Sequence, residues 1–154
     1  MPARSAGILL YRLPEDGLEV LLGHLGGPFW AKKDDGAWGI FKGEYAPEDE
    51  DALSAARREF EEETGSPPPD GEPLALGEVR QSTGKLVVAW ALQGDLDADS
   101  VQSNSFEMEW PPRSGRRESF PEIDRAAWFD ASTAKRKLLP AQVAFVEELG
   151  RLLS

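Results

Sequence analysis

The chain is predicted to fold as an α/β protein, a mixed β-sheet between α-helices. Three observations carry that expectation. Short runs of β-branched and aliphatic residues recur on both sides of one long helical stretch, Glu50–Gly65. A second amphipathic stretch closes the chain after Pro140, and no periodic array or second apolar core separates the two. Strands, helix, strands and helix in that order give a sheet covered by helices.

In chain order, Ala6–Leu13 and Leu18–Leu22 are predicted strands flanking the turn Pro14-Glu15-Asp16-Gly17, a hairpin pattern. Gly26-Gly27-Pro28 opens a loop that carries Phe29, Trp30, Lys32 and Lys33 and closes at Asp34-Asp35-Gly36. Trp30 is a candidate for stacking on a ligand, with packing against the sheet as the plainer role. His24 is the single histidine. Near a strand end it reads as a structural hydrogen-bonding group more readily than as a proton carrier.

The helix is predicted from Leu53, Ala56 and Phe60 at helical spacing, acids Asp49, Glu50 and Asp51 at its positive end, and Gly65 before Pro67 as its stop. Glu59, Glu62 and Glu63 stand at i, i+3 and i+4 and share one face, beside the apolar stripe of Ala52, Leu53, Ala56 and Phe60. Like charges at that spacing cost an isolated helix roughly 0.2–0.5 kcal/mol per pair. A cation is expected there, and clustered hard oxygen ligands on a rigid element suit Mg²⁺ beside phosphates. The competing reading is a solvated helix laced by Arg58 with Glu61 or Glu62.

Leu74–Arg80 and Lys85–Leu92 are predicted strands around Ser82-Thr83-Gly84, and Gly94–Asn104 is predicted loop. Phe106–Trp110 alternates with a two-residue period and ends at Pro111-Pro112. Arg113, Arg116 and Arg117 then crowd together in an acidic chain, either as a solvated loop or as phosphate contacts. Phe120–Phe129 ends in a predicted strand, and Pro140 opens a helix with the stripe Val143, Val146, Leu149, Leu152 and Leu153.

The 154 residues are expected to form one domain, 1–154. The net charge of −11 disfavours extended nucleic acid as a partner. No cysteine is present, which removes thiolate chemistry and is consistent with a reducing, cytoplasmic location. No run has the length and flanks of a membrane span or export signal, so no membrane partner is expected.

The residues around the helix resemble the signature of the Nudix hydrolases, G-x5-E-x7-R-E-U-x-E-E-x-G-U, where U is a bulky aliphatic. Glu50 is followed, seven residues on, by Arg58-Glu59-Phe60-Glu61-Glu62-Glu63-Thr64-Gly65, in register with that box. Gly43 precedes Glu50 by six intervening residues where the family has five, Ser66 replaces the last aliphatic, and Phe60 is aromatic. Trp38-Gly39-Ile40-Phe41-Lys42-Gly43 is similar to the family's run into the box, with Phe41 in place of a frequent proline.

The resemblance implies the Nudix fold and Mg²⁺-dependent (or Mn²⁺-dependent) hydrolysis of a diphosphate linkage in a nucleoside diphosphate joined to another moiety. By motif position it implies that Glu59, Glu62 and Glu63 bind metal and supply the base, with the Gly43 carbonyl as a further ligand. Arg58 would orient the acids and Glu50 would support them. Lys42, Trp30, Arg113, Arg116 and Arg117 are substrate-binding candidates. Glu122, six residues before Trp128 and preceded by Pro121, resembles an additional metal-binding acid of several family members, ahead of Glu118 and Glu109. Two other readings exist: an isopentenyl diphosphate isomerase, which relies on a cysteine this chain lacks, and a non-catalytic nucleotide- or protein-binding module, which would be expected to lose box acids that are all present here.

Overall fold

A computed structural model describes residues 3–154. Its centre is β1 (Arg4–Arg12), in which seven consecutive residues from Ser5 to Tyr11 are buried. A strand covered on both faces needs apolar residues at every position, and the sequence SAGILLY nearly supplies them. Ala6, Ile8 and Leu10 point to one side, and Leu9 and Tyr11 to the other, so one strand feeds two separate cores.

The sheet is mixed. β1 runs parallel to β6 (Leu86–Gln93) and antiparallel to β2 (Glu19–Leu25), and β5 (Leu74–Arg80) lies beyond β6 as the edge. On the other flank β2 pairs with β3 (Trp38–Gly39) and with β9 (Ile123–Asp130), whereas β4 (Phe41–Glu44) pairs with the first half of β1. A separate two-stranded ribbon is made of β7 (Ser105–Glu109) and β8 (Arg117–Pro121). Its apolar side chains Phe106 and Phe120 face each other across the ladder.

Helix α1 (Ala52–Thr64) lies on one face of the sheet, placing Ala55, Ala56 and Phe60 against Ile8, Leu10 and Phe41. The other face is covered by α2 (Ala131–Lys137) and α3 (Val143–Leu153), with Phe145, Val146 and Leu149 packed on Leu9, Trp38 and Val87. Burying a side chain such as Phe60 contributes about 1.5–3 kcal/mol, so each helix is held by its stripe more than by intrinsic propensity. Among the described residues no helix is long and apolar enough to cross a membrane.

Several predicted boundaries shift. The helix starts after Asp51, whose carboxylate accepts from the Ser54 amide and hydroxyl at 3.0 and 2.8 Å, so Glu50 lies in the preceding turn. Gly65, at φ 79°, ends it as expected. In α1 the fully buried alanines are 55 and 56, with Leu53 only half-buried. Pro140 opens a turn of 3₁₀ helix, and the buried stripe of α3 contains Phe145 where Leu152 was expected; Leu152 is 39% exposed. Strand β8 and helix α2 have no counterpart in the sequence reading. Neither has an apolar period in its sequence, β8 contributing only Phe120 and Pro121 and α2 only two alanines; ladder pairing with β7 and the Asp130 cap on the Thr133 amide define them instead.

Candidate active site

The chain enters α1 along β4, and Gly43 there faces the first acid of the helix. A Cβ on Gly43 would stand 1.9 Å from Glu59 Oε2, a distance no atom pair tolerates. Glycine therefore lets the carboxylate lie against the strand backbone. Glu59 is buried, and burial followed by the neighbouring Glu62 charge raises its pKa.

Arg58 ties three of the acids together. Its guanidinium forms a two-point contact with Glu50, at 2.6 and 3.3 Å, and donates to Glu59 at 2.8 Å and Glu62 at 3.2 Å. The expected i,i+4 pair with Glu62 is present and Glu61 takes no part among the described contacts, while the bonds to Glu50 and Glu59 go beyond a surface pair. The pKa of Arg58 is raised, chiefly by the Glu50 hydrogen bond, so the cation stays charged while bracing three carboxylates.

Glu63 lines a cleft of about 530 Å³ together with Lys42, Glu122 and Trp30, walled by Leu25, Ile40, Ile123 and Leu139. Burial, then the charges of Glu122 and Glu59, push the Glu63 pKa up to about 8. Lys42, between these acids and Lys85, has its pKa lowered by burial and then by the Lys85 charge.

Glu122 occupies the junction between β8 and β9, and its backbone is held from both sides. Its amide donates to the Asn104 carbonyl at 2.8 Å, and its carbonyl accepts from the Gly26 amide at 2.9 Å. Gly26 is needed there, because a Cβ would stand 1.9 Å from the Pro121 oxygen. Glu118 and Glu109 lie instead on the two-stranded ribbon, outside the cleft lining.

The remaining candidates separate. Trp30 is half-buried against the core and lines the cleft, with Lys33 Nζ 5.2 Å from its ring centroid. Arg113, Arg116 and Arg117 are exposed at the outer end of the ribbon and do not line the cleft. His24 is fully buried between Asp124 Oδ1 (2.8 Å) and the Lys33 carbonyl (2.6 Å), the arrangement of a structural histidine. Sequence reasoning missed Gln142, wholly buried at the cleft wall, and Gln81 on the β5–β6 turn; neither carries a motif signal.

Among the described residues no group of three or more His, Cys, Asp or Glu side chains is already arranged to hold an ion. Arg58 holds Glu59 and Glu62, whereas Glu63 and Glu122 line the cleft within range of each other's charge. The donor chemistry still fits a hard divalent cation. These are oxygen ligands on a rigid helix, and a side-chain-free glycine admits one of them against the backbone.

The arrangement defines a class first: an α/β protein with a mixed sheet between helices and a glutamate-bearing helix at the edge of a cleft. The sequence matches the NUDIX domain over residues 1–149, and the chain belongs to the Nudix family. Solved structures share its fold. An Ap4A hydrolase from C. elegans in a binary complex is 20% identical, with a TM-score of 0.68 over 97% of each chain. The NUDIX domain of Shewanella oneidensis NrtR complexed with ADP ribose is 16% identical, with a TM-score of 0.67 over 100% of this chain and 90% of that one. A MutT protein from Methanosarcina mazei is 21% identical, with a TM-score of 0.63 over 99% and 96%. No curated protein matches the sequence.

Proposed function

We propose that the chain is a hydrolase that uses Mg²⁺, with Mn²⁺ as a substitute, to cleave a diphosphate linkage in a nucleoside diphosphate joined to another moiety. The observation that carries this reading is the juxtaposition of Glu63, Glu122 and Lys42, close enough for their charges to act on one another, in a cleft whose remaining wall is largely apolar. The clustered charge suits a phosphate chain; the apolar wall suits a ring. The family assignment and the fold shared with proteins bound to ADP ribose or acting on Ap4A support a nucleotide substrate.

Glu59, Glu62, Glu63, Glu122 and the Gly43 carbonyl are the groups that would hold the ions. A bound divalent cation supplies charge neutralisation on phosphate oxygens and a more acidic water. The protein's own part is positional. Arg58, anchored on Glu50, sets the carboxylates of Glu59 and Glu62, and Gly43 leaves room for Glu59. Lys42 offers an ammonium to phosphate in the cleft, and Trp30 offers a ring face. One of these glutamates accepts the proton of the attacking water.

A screen of nucleotide sugars, dinucleoside polyphosphates and nucleoside triphosphates with Mg²⁺ or Mn²⁺, reading phosphate after phosphatase treatment, tests the proposal. Turnover that is lost in Glu59→Gln supports it. Tight nucleotide binding without turnover of any substrate would favour the non-catalytic module.

A further inference from the structure

Three residues far apart in sequence meet behind the cleft wall. The Ile40 amide donates to Gln142 Oε1 at 2.9 Å, and Gln142 Nε2 lies 3.0 Å from Gln81 Oε1. Gln142 is fully buried, and Gly39 leaves it space, since a Cβ there would stand 3.1 Å from Oε1. The polarity of this chain is forced. A backbone N–H can only donate, so the end of Gln142 facing Ile40 is its oxygen. The other end is then its amino group, which also can only donate, so Gln81 must turn its oxygen inward.

Gln81 is consequently left with its own amino group outside that relay. That group makes no hydrogen bond among the described residues, and Gln81 lines the same cavity as Trp30, Ile40 and Leu139. A donor whose orientation is locked by a buried amide discriminates better than a free glutamine, which flips to suit either kind of partner.

We infer that Gln81 is a specificity-determining residue, oriented by Gln142, and that it selects a substrate ring bearing a carbonyl oxygen at the position where cytosine or adenine bears an amino group. This rests on the nucleotide-hydrolase reading for its substrate class. A ring amino group brought to the same place would meet a second donor, and both would stay unpaired. Sugar hydroxyls, which donate and accept, would give no such preference.

The test compares uridine with cytidine and guanosine with adenosine. kcat/KM is measured for the nucleoside diphosphate-linked substrates, and Kd for the four nucleoside monophosphates. Wild type should favour the carbonyl-bearing member of each pair by roughly tenfold or more. In Gln81→Glu the carboxylate still accepts from Gln142 and presents only an acceptor to the cleft, so the ratio should reverse. The added negative charge weakens both members alike, and the ratio removes it. Gln81→Leu should bring the ratio near one. An unchanged ratio in Gln81→Glu with hydrolysis intact overturns the assignment of Gln81 alone. Absence of nucleotide hydrolysis by wild type overturns the hydrolase reading, and the monophosphate Kd ratios still decide Gln81. Equal Kd values within each pair for wild type would refute it.

Discussion

Gly43 on β4 and Glu59 on α1 are in such close contact that a single methyl group on the glycine would overlap the glutamate carboxylate, 1.9 Å from Oε2. The obstructed group is the end of a flexible side chain, so Gly43→Ala can be absorbed by displacing Glu59 without unfolding the sheet. The expected outcome is a circular dichroism spectrum and melting temperature close to wild type, with kcat reduced roughly ten- to a thousand-fold, the loss typical of one misplaced catalytic group. Activity within twofold of wild type would separate Glu59 from the chemistry.

Glu63 makes the stability of the metal-free protein depend on pH. Its pKa in the fold, about 8, lies above its ordinary value of 4.5. The native state therefore keeps a proton that the unfolded chain releases, and the associated stability is complete below about 4.5 and lost as pH rises through about 8. Melting curves in chelator should fall across that window, and Glu63→Gln should flatten the fall. Glu59 acts in the same direction.

Millimolar Mg²⁺ at constant ionic strength should raise the melting temperature, and by more at pH 8 than at pH 6, because the ion competes with the Glu63 proton. Superimposable curves with Mg²⁺ and with chelator would count against a metal site on these glutamates.

Glu122→Gln should lower kcat by roughly ten- to a thousand-fold while the protein stays folded. Its position is fixed by the backbone bonds to Asn104 and Gly26, which the substitution leaves untouched. Normal turnover in Glu122→Gln with impairment in Glu118→Gln would move the role to the ribbon.

Arg113, Arg116 and Arg117, candidate phosphate contacts by sequence, stand outside the cleft lining, so a role for them needs a substrate that reaches past the cleft to the ribbon end. Replacing Arg113, Arg116 and Arg117 by alanine should raise KM and leave the melting temperature nearly unchanged, because all three are exposed. Unaltered kinetics in the triple variant would leave them as solvent-facing charges.

The sequence alone determined the local parts of this molecule. Helical spacing put Glu59, Glu62 and Glu63 on one side of α1, Gly65 marked its end, and the aliphatic runs marked β1, β5 and β6, because periodicity and backbone preference act over a few residues. Only the tertiary structure decided where each of those acids is held. Arg58 ties Glu59 and Glu62 together, whereas Glu63 lines the cleft with Glu122, 59 residues later in the chain. Strand β8, recognisable by its ladder with β7 and not by its own polar residues, delivers Glu122 to that place. The Ile40–Gln142–Gln81 relay was equally invisible: two glutamines in a sequence carry no pattern, and their donor and acceptor roles exist only once folding brings a backbone amide against one of them.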